Sequence, residues 1–294
     1  MSGSGAAVIA VASGKGGTGK TTVAAHLALA AAPSLRTLLV DLDVEAPDAL
    51  GYFPDAIAAG EYRPALVRVP RLLPERCTGC GLCAKACRFG AILAIGGVVT
   101  IDERVCKGCG HCVAACPAGA LSETELEVGG STRFLAGRLE LVEGRLAVGD
   151  IRSTAVIEAA KRRAGESEAE IQIRDCPPGV TCPTVHAVEG ADCLVLVAEP
   201  TEFSLHDLGA ALSLAKERGL PVGVVINKEG FGSADLDGFC ARMGAPILGR
   251  IAFRRERAEA GAAAKLWTED LAIAREMSSI LDRALGLARK ERSC

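Results

Sequence analysis

Apolar residues in this chain fall into short unbroken runs separated by longer stretches of helical spacing. Segments 8–12, 37–41, 171–175, 193–198 and 222–227 predict strands. Leu194-Val195-Leu196-Val197 and Val222-Gly223-Val224-Val225-Ile226 show no polar alternation. Strands of that kind are buried on both faces and belong to a parallel sheet covered by helices. Helices are predicted over 20–32, 151–164, 204–218 and 234–243, and residues 266–289 carry helical periodicity. Residues 129–146 read as a glycine-punctuated hairpin where the chain re-enters the main domain, and 161–170 as a solvated helix end and loop. The opening stretch, 1–12, has no basic leader and runs into Ser13-Gly14-Lys15, so it predicts a buried strand rather than a signal peptide.

Composition narrows the class. Hydrophobic residues are 49%, charged residues 23% and the net charge is −3, which excludes a disordered chain. There is no basic excess for sequence-independent phosphate binding, so nucleic acid is not the expected partner. No stretch of roughly 18 uncharged apolar residues is present, so stable membrane insertion is not expected. At 294 residues, the chain has room for a substantial core without disulfide staples. Thirteen cysteines in such a chain point to a cytoplasmic setting with thiols or metal rather than disulfides.

Gly14-Lys15-Gly16-Gly17-Thr18-Gly19-Lys20-Thr21 fits the G-x-x-x-x-G-K-[ST] phosphate loop throughout, between a predicted strand and a predicted helix. Glycines let backbone N–H groups turn in around phosphate oxygens, and the helix that follows adds its positive end. Lys20 would neutralise the β- and γ-phosphates of ATP, and the Thr21 hydroxyl would take Mg²⁺.

Eight of the cysteines fall between Cys77 and Cys116. Cys77, Cys80, Cys83 and Cys87 are spaced C-x₂-C-x₂-C-x₃-C, and Cys106, Cys109, Cys112 and Cys116 repeat that spacing before Pro117. This is the two-cluster bacterial ferredoxin pattern, in which the fourth cysteine of each run ligates the other cluster. The expected sets are therefore Cys77, Cys80, Cys83 and Cys116 on one 4Fe-4S cluster, and Cys106, Cys109, Cys112 and Cys87 on the second. A zinc site needs C-x₂-C pairs at longer intervals and fits poorly. Gly79, Gly81, Gly108 and Gly110 leave room for backbone N–H groups beside sulfur. Arg88 stands where the first run could carry a proline. Cys176, Cys182, Cys193, Cys240 and Cys294 have no C-x-x-C partner and read as packing residues, although Cys176 and Cys182 bracket a loop of interest.

The stretch from Lys15 to Thr22, with its second lysine, resembles the deviant phosphate loop of the MinD/ParA/Mrp ATPases, a class that includes the nitrogenase iron protein. Asp41-Leu42-Asp43 resembles that family's first switch segment, and Asp175-Cys176-Pro177-Pro178-Gly179 its second. The resemblance implies a doubly wound, mainly parallel P-loop sheet that binds ATP or ADP and pairs as a homodimer across the nucleotide. It implies that Lys15 acts on the partner's phosphates and that Asp43 orients the attacking water. Asp41 and Asp175 would serve Mg²⁺, Gly179 would present its N–H to the γ-phosphate, and Asn227 would read the base. His206 is given no catalytic role. Taken together, residues 1–70 and 123–294 are expected to form the ATPase domain, and 71–122 an inserted small α+β ferredoxin-like domain. The expected activity is ATP hydrolysis coupled to electron transfer through two 4Fe-4S clusters to a redox partner protein. The alternative is an iron-sulfur assembly or carrier ATPase of the Mrp type, against which the absence of a C-terminal C-x-x-C counts. A positioning role like that of MinD lacks a terminal amphipathic helix with a strong basic face.

Overall fold

The computed structural model describes residues 6–267 and 270–291; the start of the opening run and Cys294 lie outside them. In chain order the elements are β1 (Ala7–Ala12), α1 (Lys20–Ala31), β2 (Thr37–Asp41), a 3₁₀ turn at Ala49–Tyr52, β3 (Ile57–Ala58) and β4 (Arg63–Leu72). A short helical turn at Pro74–Arg76 is followed by α2 (Leu82–Ala86), β5 (Ile92–Ile95), β6 (Val98–Ile101), α3 (His111–Ala114), β7 (Leu121–Ala136) and β8 (Leu139–Leu146). The remainder is α4 (Ser153–Ala164), β9 (Ile171–Asp175), α5 (Cys182–Val188), β10 (Cys193–Ala198), α6 (Glu202–Glu217) and β11 (Val222–Glu229). It ends with α7 (Leu236–Met243), β12 (Ile247–Ala252), α8 (Arg255–Ala262) and α9 (Leu271–Glu291).

The main sheet runs β12-β11-β10-β1-β9-β2-β8-β7-β3, parallel from β12 through β8 and antiparallel beyond. Strands β2, β9 and β10 are buried along their whole length; β10 is apolar throughout, whereas β9 also buries Gln172 and Arg174, which donate to the carbonyls of Ala164 at 3.3 Å and Glu189 at 2.9 Å. Leu27 of α1 and Met277 and Ile280 of α9 pack with Ile9 and Ile173 on one face. Val156 and Ile157 of α4, with Leu208 and Leu212 of α6, pack on the other against Leu38 and Leu196. Helices thus cover both faces of a mainly parallel sheet. Among the described residues no helix is long and apolar enough to cross a membrane.

The expected hairpin at 129–146 is the distal half of a longer feature. β7 starts at Leu121 and pairs along ten positions with β4, from Arg63 opposite Ser131 to Leu72 opposite Leu121. This ribbon escapes an apolar-run reading because charged residues interrupt the apolar ones along its outer half; Arg68 stands opposite Glu125, an opposite-charge cross-strand pair, while Val69 and Leu121 are buried against the lobe. Residues 73–120 hang from its tip, where Leu73 N–H donates to the Ala120 carbonyl at 2.8 Å. They hold the eight clustered cysteines, with α2, α3 and the β5–β6 hairpin. Gly108 adopts φ +68°, and a Cβ there would strike Val67 of β4 and come within 2.9 Å of the Arg68 carbonyl. A side chain at that position would both strain the turn and push this lobe off the ribbon.

Candidate functional site

The phosphate loop connects β1 to α1 at the carboxyl end of the central strands, where open α/β sheets place ligands. Gly19 takes φ +90° at the helix N-cap, and a Cβ on it would collide with the Asn227 side chain. The Asn227 amide donates to the Thr18 carbonyl at 2.7 Å, and Lys228 Nζ donates to the Gly17 carbonyl at 2.7 Å. Residues at the carboxyl end of β11 therefore brace the loop directly, and one donor of Asn227 is committed there. The Thr22 hydroxyl shares a 2.6 Å hydrogen bond with the Tyr52 hydroxyl, and the first-turn amides of α1 have no intrahelical acceptor.

Lys20 is buried, and its ammonium donates to Asp43 at 2.6 Å and stands 3.9 Å from Asp175. Burial opposes the charge, but Asp175, Asp43 and Asp41 outweigh it and hold Lys20 above its ordinary range. Asp175 is fully buried, and neither carboxylate oxygen has a well-formed hydrogen bond among the described residues; its nearest polar neighbours there are the Thr21 hydroxyl and the Lys20 ammonium. Burial pushes its carboxyl up to about 6, against the pull of Lys20 and Thr21. A buried carboxylate without a well-formed hydrogen bond, beside a hydroxyl, is the donor set a hard divalent cation takes. Asp41 is differently placed: its oxygens accept from Asp43 N–H at 3.1 Å and Ala49 N–H at 2.9 Å. Burial and the nearby Asp175 raise it well above the usual carboxylate range. Asp41 thus folds the 43–49 loop, while Asp175 is the acid with open coordination capacity.

Two further expectations meet prior engagements. Lys15 is ion-paired to Glu199 of the same chain, and Glu199 also takes Lys228 at 2.8 Å. Burial alone would lift Glu199, yet the bonds from Lys15 and Lys228 hold it below the ordinary range. Gly179, at φ +84°, donates its N–H to the Ser13 carbonyl at 2.8 Å. Reaching a γ-phosphate would require both groups to exchange these partners.

The surroundings of Asn227 were only partly legible in the sequence. A cavity of about 260 Å³ beside Gly19 and Asn227 is closed by Phe253, Arg254, Arg257 and Trp267. Trp267 is tied to α1: its backbone N–H donates to His26 Nε2 at 2.9 Å, while His26 Nδ1 bonds the Thr22 carbonyl at 2.7 Å. That pattern fixes the neutral Nδ1–H tautomer, and burial pushes the His26 pKa down. A lone histidine inside an alanine-rich helix gave no signal of this tie.

In the cysteine lobe, Cys83 has Cys116 and Cys80 as electrostatic neighbours, and Cys112 has Cys106 and Cys109. Burial pushes the Cys83 and Cys112 thiols up, and those neighbours add to it. Cys77, Cys83, Cys87, Cys112 and Cys116 share one apolar cluster, and Cys87 also lines a small cavity with Cys106, Cys109 and Cys112. Backbone N–H groups donate to sulfur from Ala91 to Cys87 at 3.3 Å, from Gly108 to Cys106 at 3.4 Å and from Ala120 to Cys116 at 3.3 Å. Of the remaining thiols, Cys176 is buried, and burial beside Asp175 drives its pKa to about 12, so it is inert; Cys182 is exposed where α5 begins.

Comparison with known proteins agrees with this geometry. The family model described as the CobQ/CobB/MinD/ParA nucleotide binding domain matches residues 9–267. The uncharacterized protein MJ0578 of Methanocaldococcus jannaschii is 33% identical over 222 residues, 76% of this chain and 78% of the relative. The uncharacterized protein MJ0579 of the same organism is 27% identical over 229 residues, 78% of this chain and 82% of the relative. Among solved structures, the septum site-determining protein MinD of Pyrococcus horikoshii in complex with Mg-ADP superposes with a TM-score of 0.58. It is 17% identical, with 95% of this chain and 96% of that one covered. The cell division ATPase MinD of Pyrococcus furiosus gives 0.59 at 18% identity over 96% and 100% of the two chains. At that identity the superpositions show the fold, whereas the extent of the family match carries membership: the chain belongs to the CobQ/CobB/MinD/ParA nucleotide-binding family and has the MinD-like P-loop fold.

Proposed function

We propose that this chain is a cytoplasmic ATPase whose nucleotide state governs electron transfer through two 4Fe-4S clusters to a partner protein. The observation that carries the reading is the arrangement of the eight lobe thiols. Tetrahedral zinc with bonds of about 2.3 Å would bring its sulfurs to about 3.8 Å from one another. The group of potential ligand atoms within 4.8 Å of each other is instead Glu158, His186 and Glu189, and the lobe thiols form no such group. The thiols gather across the two sequence runs, Cys83 beside Cys80 and Cys116, and Cys87 beside Cys106, Cys109 and Cys112, with N–H donors already on three sulfurs, which suits two polynuclear clusters. The inserted unit is assigned to residues 71–122, with Cys77, Cys80, Cys83 and Cys116 in one set and Cys106, Cys109, Cys112 and Cys87 in the other. When bound, the clusters would supply one-electron storage and transfer, each electron received from a reduced donor passing to an oxidised acceptor. ATP hydrolysis supplies no electrons.

In the nucleotide site, Lys20 and the α1 amides hold phosphate oxygens, and Thr21 with Asp175 holds Mg²⁺. Asp43 exchanges Lys20 for the attacking water, and the cavity by Asn227 takes the base. Two chains pair across the nucleotides, which requires Lys15 to leave Glu199 for the partner's phosphates. Replacing Glu199 with Gln weakens that hold, so the protein concentration for half-maximal ATP turnover is expected to fall by about threefold to tenfold, a gain on the order of 1 kcal/mol in pairing. Sedimentation with ATP checks the same point, and a dimer no tighter than wild type rejects Lys15 release as the limiting step.

The reading itself is tested by anaerobic purification, iron and sulfide analysis, and EPR-monitored redox titration with and without Mg·ATP. About eight irons per chain and a potential or reduction rate that changes with nucleotide are expected. A protein that binds ATP yet takes up no iron, or whose clusters ignore nucleotide, overturns it. Intact transfer of clusters to an apo acceptor would favour the carrier reading instead.

A further inference from the structure

The connection from β8 into α4 touches both functional regions within three consecutive residues. Ser153 donates its hydroxyl to Glu45 at 2.5 Å, and Glu45 lies two residues past Asp43, the acceptor of Lys20. Arg152 donates through Nη1 to the carbonyls of Glu103 at 3.3 Å and Cys106 at 3.5 Å. Lys107 Nζ donates to the Ile151 carbonyl at 3.1 Å. The strap is anchored rather than draped: Arg152 is 5% exposed and clamped by Asp150, through Nε at 2.8 Å and through Nη2. A second tie joins it to the same switch segment, because Leu146 N–H donates to the Val44 carbonyl at 2.8 Å.

We propose that Glu45, Ser153 and Arg152 form a mechanical and electrostatic link by which nucleotide occupancy acts on the Cys106–Cys112 loop. Its effect on redox potential rests on the electron-transfer reading above; the mechanical link does not. Drawing Asp43 off Lys20 moves the 43–45 segment, and the 2.5 Å bond passes that motion to the first residue of α4. Arg152 is the N-cap of the same helix, so it moves with that turn. Cys106 is buried, and a close-packed neighbour answers such a shift with rearrangement rather than slack. Displacing a buried guanidinium by an ångström beside thiolates also changes the field they feel. Arg152 is therefore a positioning residue.

The test is hydrogen exchange on the full chain with Mg·ADP and with a Mg-bound non-hydrolysable ATP analogue. In wild type the amides of residues 104–112 are expected to differ between the two nucleotides by at least about threefold in exchange rate. Ser153→Ala should abolish that difference while protection of residues 15–22 by nucleotide persists, and Arg152→Lys should restore less of it than wild type shows. No difference in wild type, or an undiminished one in Ser153→Ala, overturns the link. On cluster-loaded protein, a nucleotide-dependent potential in the wild type should vanish in Ser153→Ala, and one that survives unchanged also overturns it. A wild type without clusters would end the electron-transfer reading, and the exchange measurement would still decide the link.

Discussion

Replacing Asp175 with Asn is expected to make the nucleotide-free protein more stable and to lower Mg²⁺-dependent ATP turnover by at least about 100-fold. The two effects have one cause. Asp175 is fully buried with no well-formed hydrogen bond to either carboxylate oxygen among the described residues, and burial pushes its carboxyl up to about 6 against the pull of Lys20 and the Thr21 hydroxyl. Against an unfolded value of 3.8, this makes the anion cost on the order of 3 kcal/mol at neutral pH. The folded pKa is raised, so the acid's favourable contribution is present below about pH 4 and lost as pH climbs through about 6. Asn removes the charge; Lys20 keeps Asp43 at 2.6 Å, so most of the penalty should return as stability, about 1–3 kcal/mol. The gain should be full at pH 7.5 and absent at pH 4. Urea denaturation at the two pH values measures it, and equal gains at both would reject burial of charge as the cause. Turnover falls because the same undercompensated carboxylate is the group proposed to hold Mg²⁺, and losing a metal's charge stabilisation is worth several kcal/mol. A variant that hydrolyses ATP normally would remove Asp175 from the metal site.

Which parts of this molecule were legible in advance follows from how each signal is encoded. The strands 37–41, 171–175 and 193–198 were readable to the residue; 193–198 is apolar throughout, as burial on both faces favours, while 171–175 buries Gln172, Arg174 and Asp175 as well. The phosphate loop was readable because backbone geometry leaves little choice beyond glycine there. Segment 255–262 shows the opposite case: Arg255-Glu256-Arg257-Ala258-Glu259-Ala260-Gly261-Ala262 has no apolar stripe, and none of its residues is buried, so the helix beside the Asn227 cavity gave no periodic signal. Contacts between charged side chains were equally silent. Glu199 meets Lys15 from 184 positions away and Glu45 meets Ser153 across 108. Neither contact has a spacing rule, because tertiary topology alone brings them together. The two thiols that flank the second switch turn out to differ: the buried Cys176 is chemically closed, while Cys182 stays exposed.

The cysteine lobe yields the other large effect, and it separates true cross-ligation from mere clustering. Changing Cys116 to Ser should lower iron from about eight to about four per chain. The loss should fall on the group held by Cys77, Cys80 and Cys83, although Cys116 belongs in sequence to the other run. The geometry behind this is that Cys83 has Cys116 and Cys80 as neighbours, while Cys87 faces the cavity it shares with Cys106, Cys109 and Cys112. Double substitution then discriminates. Cys116→Ser with Cys77→Ser should lose no more iron than either alone, since both act on one cluster. Cys116→Ser with Cys106→Ser should lose nearly all of it. If ligation followed the sequence runs instead, the two double variants would exchange these outcomes. Loss of iron could also come from a loosened lobe, because its two small apolar clusters are built partly from the cysteines themselves. Serine changes little volume but removes a soft ligand, so ATP affinity and the exchange protection of the β4–β7 ribbon should stay at wild-type levels in every single variant. A ribbon that frays along with the iron loss would mean that the thiols hold the lobe together rather than share two clusters between the runs.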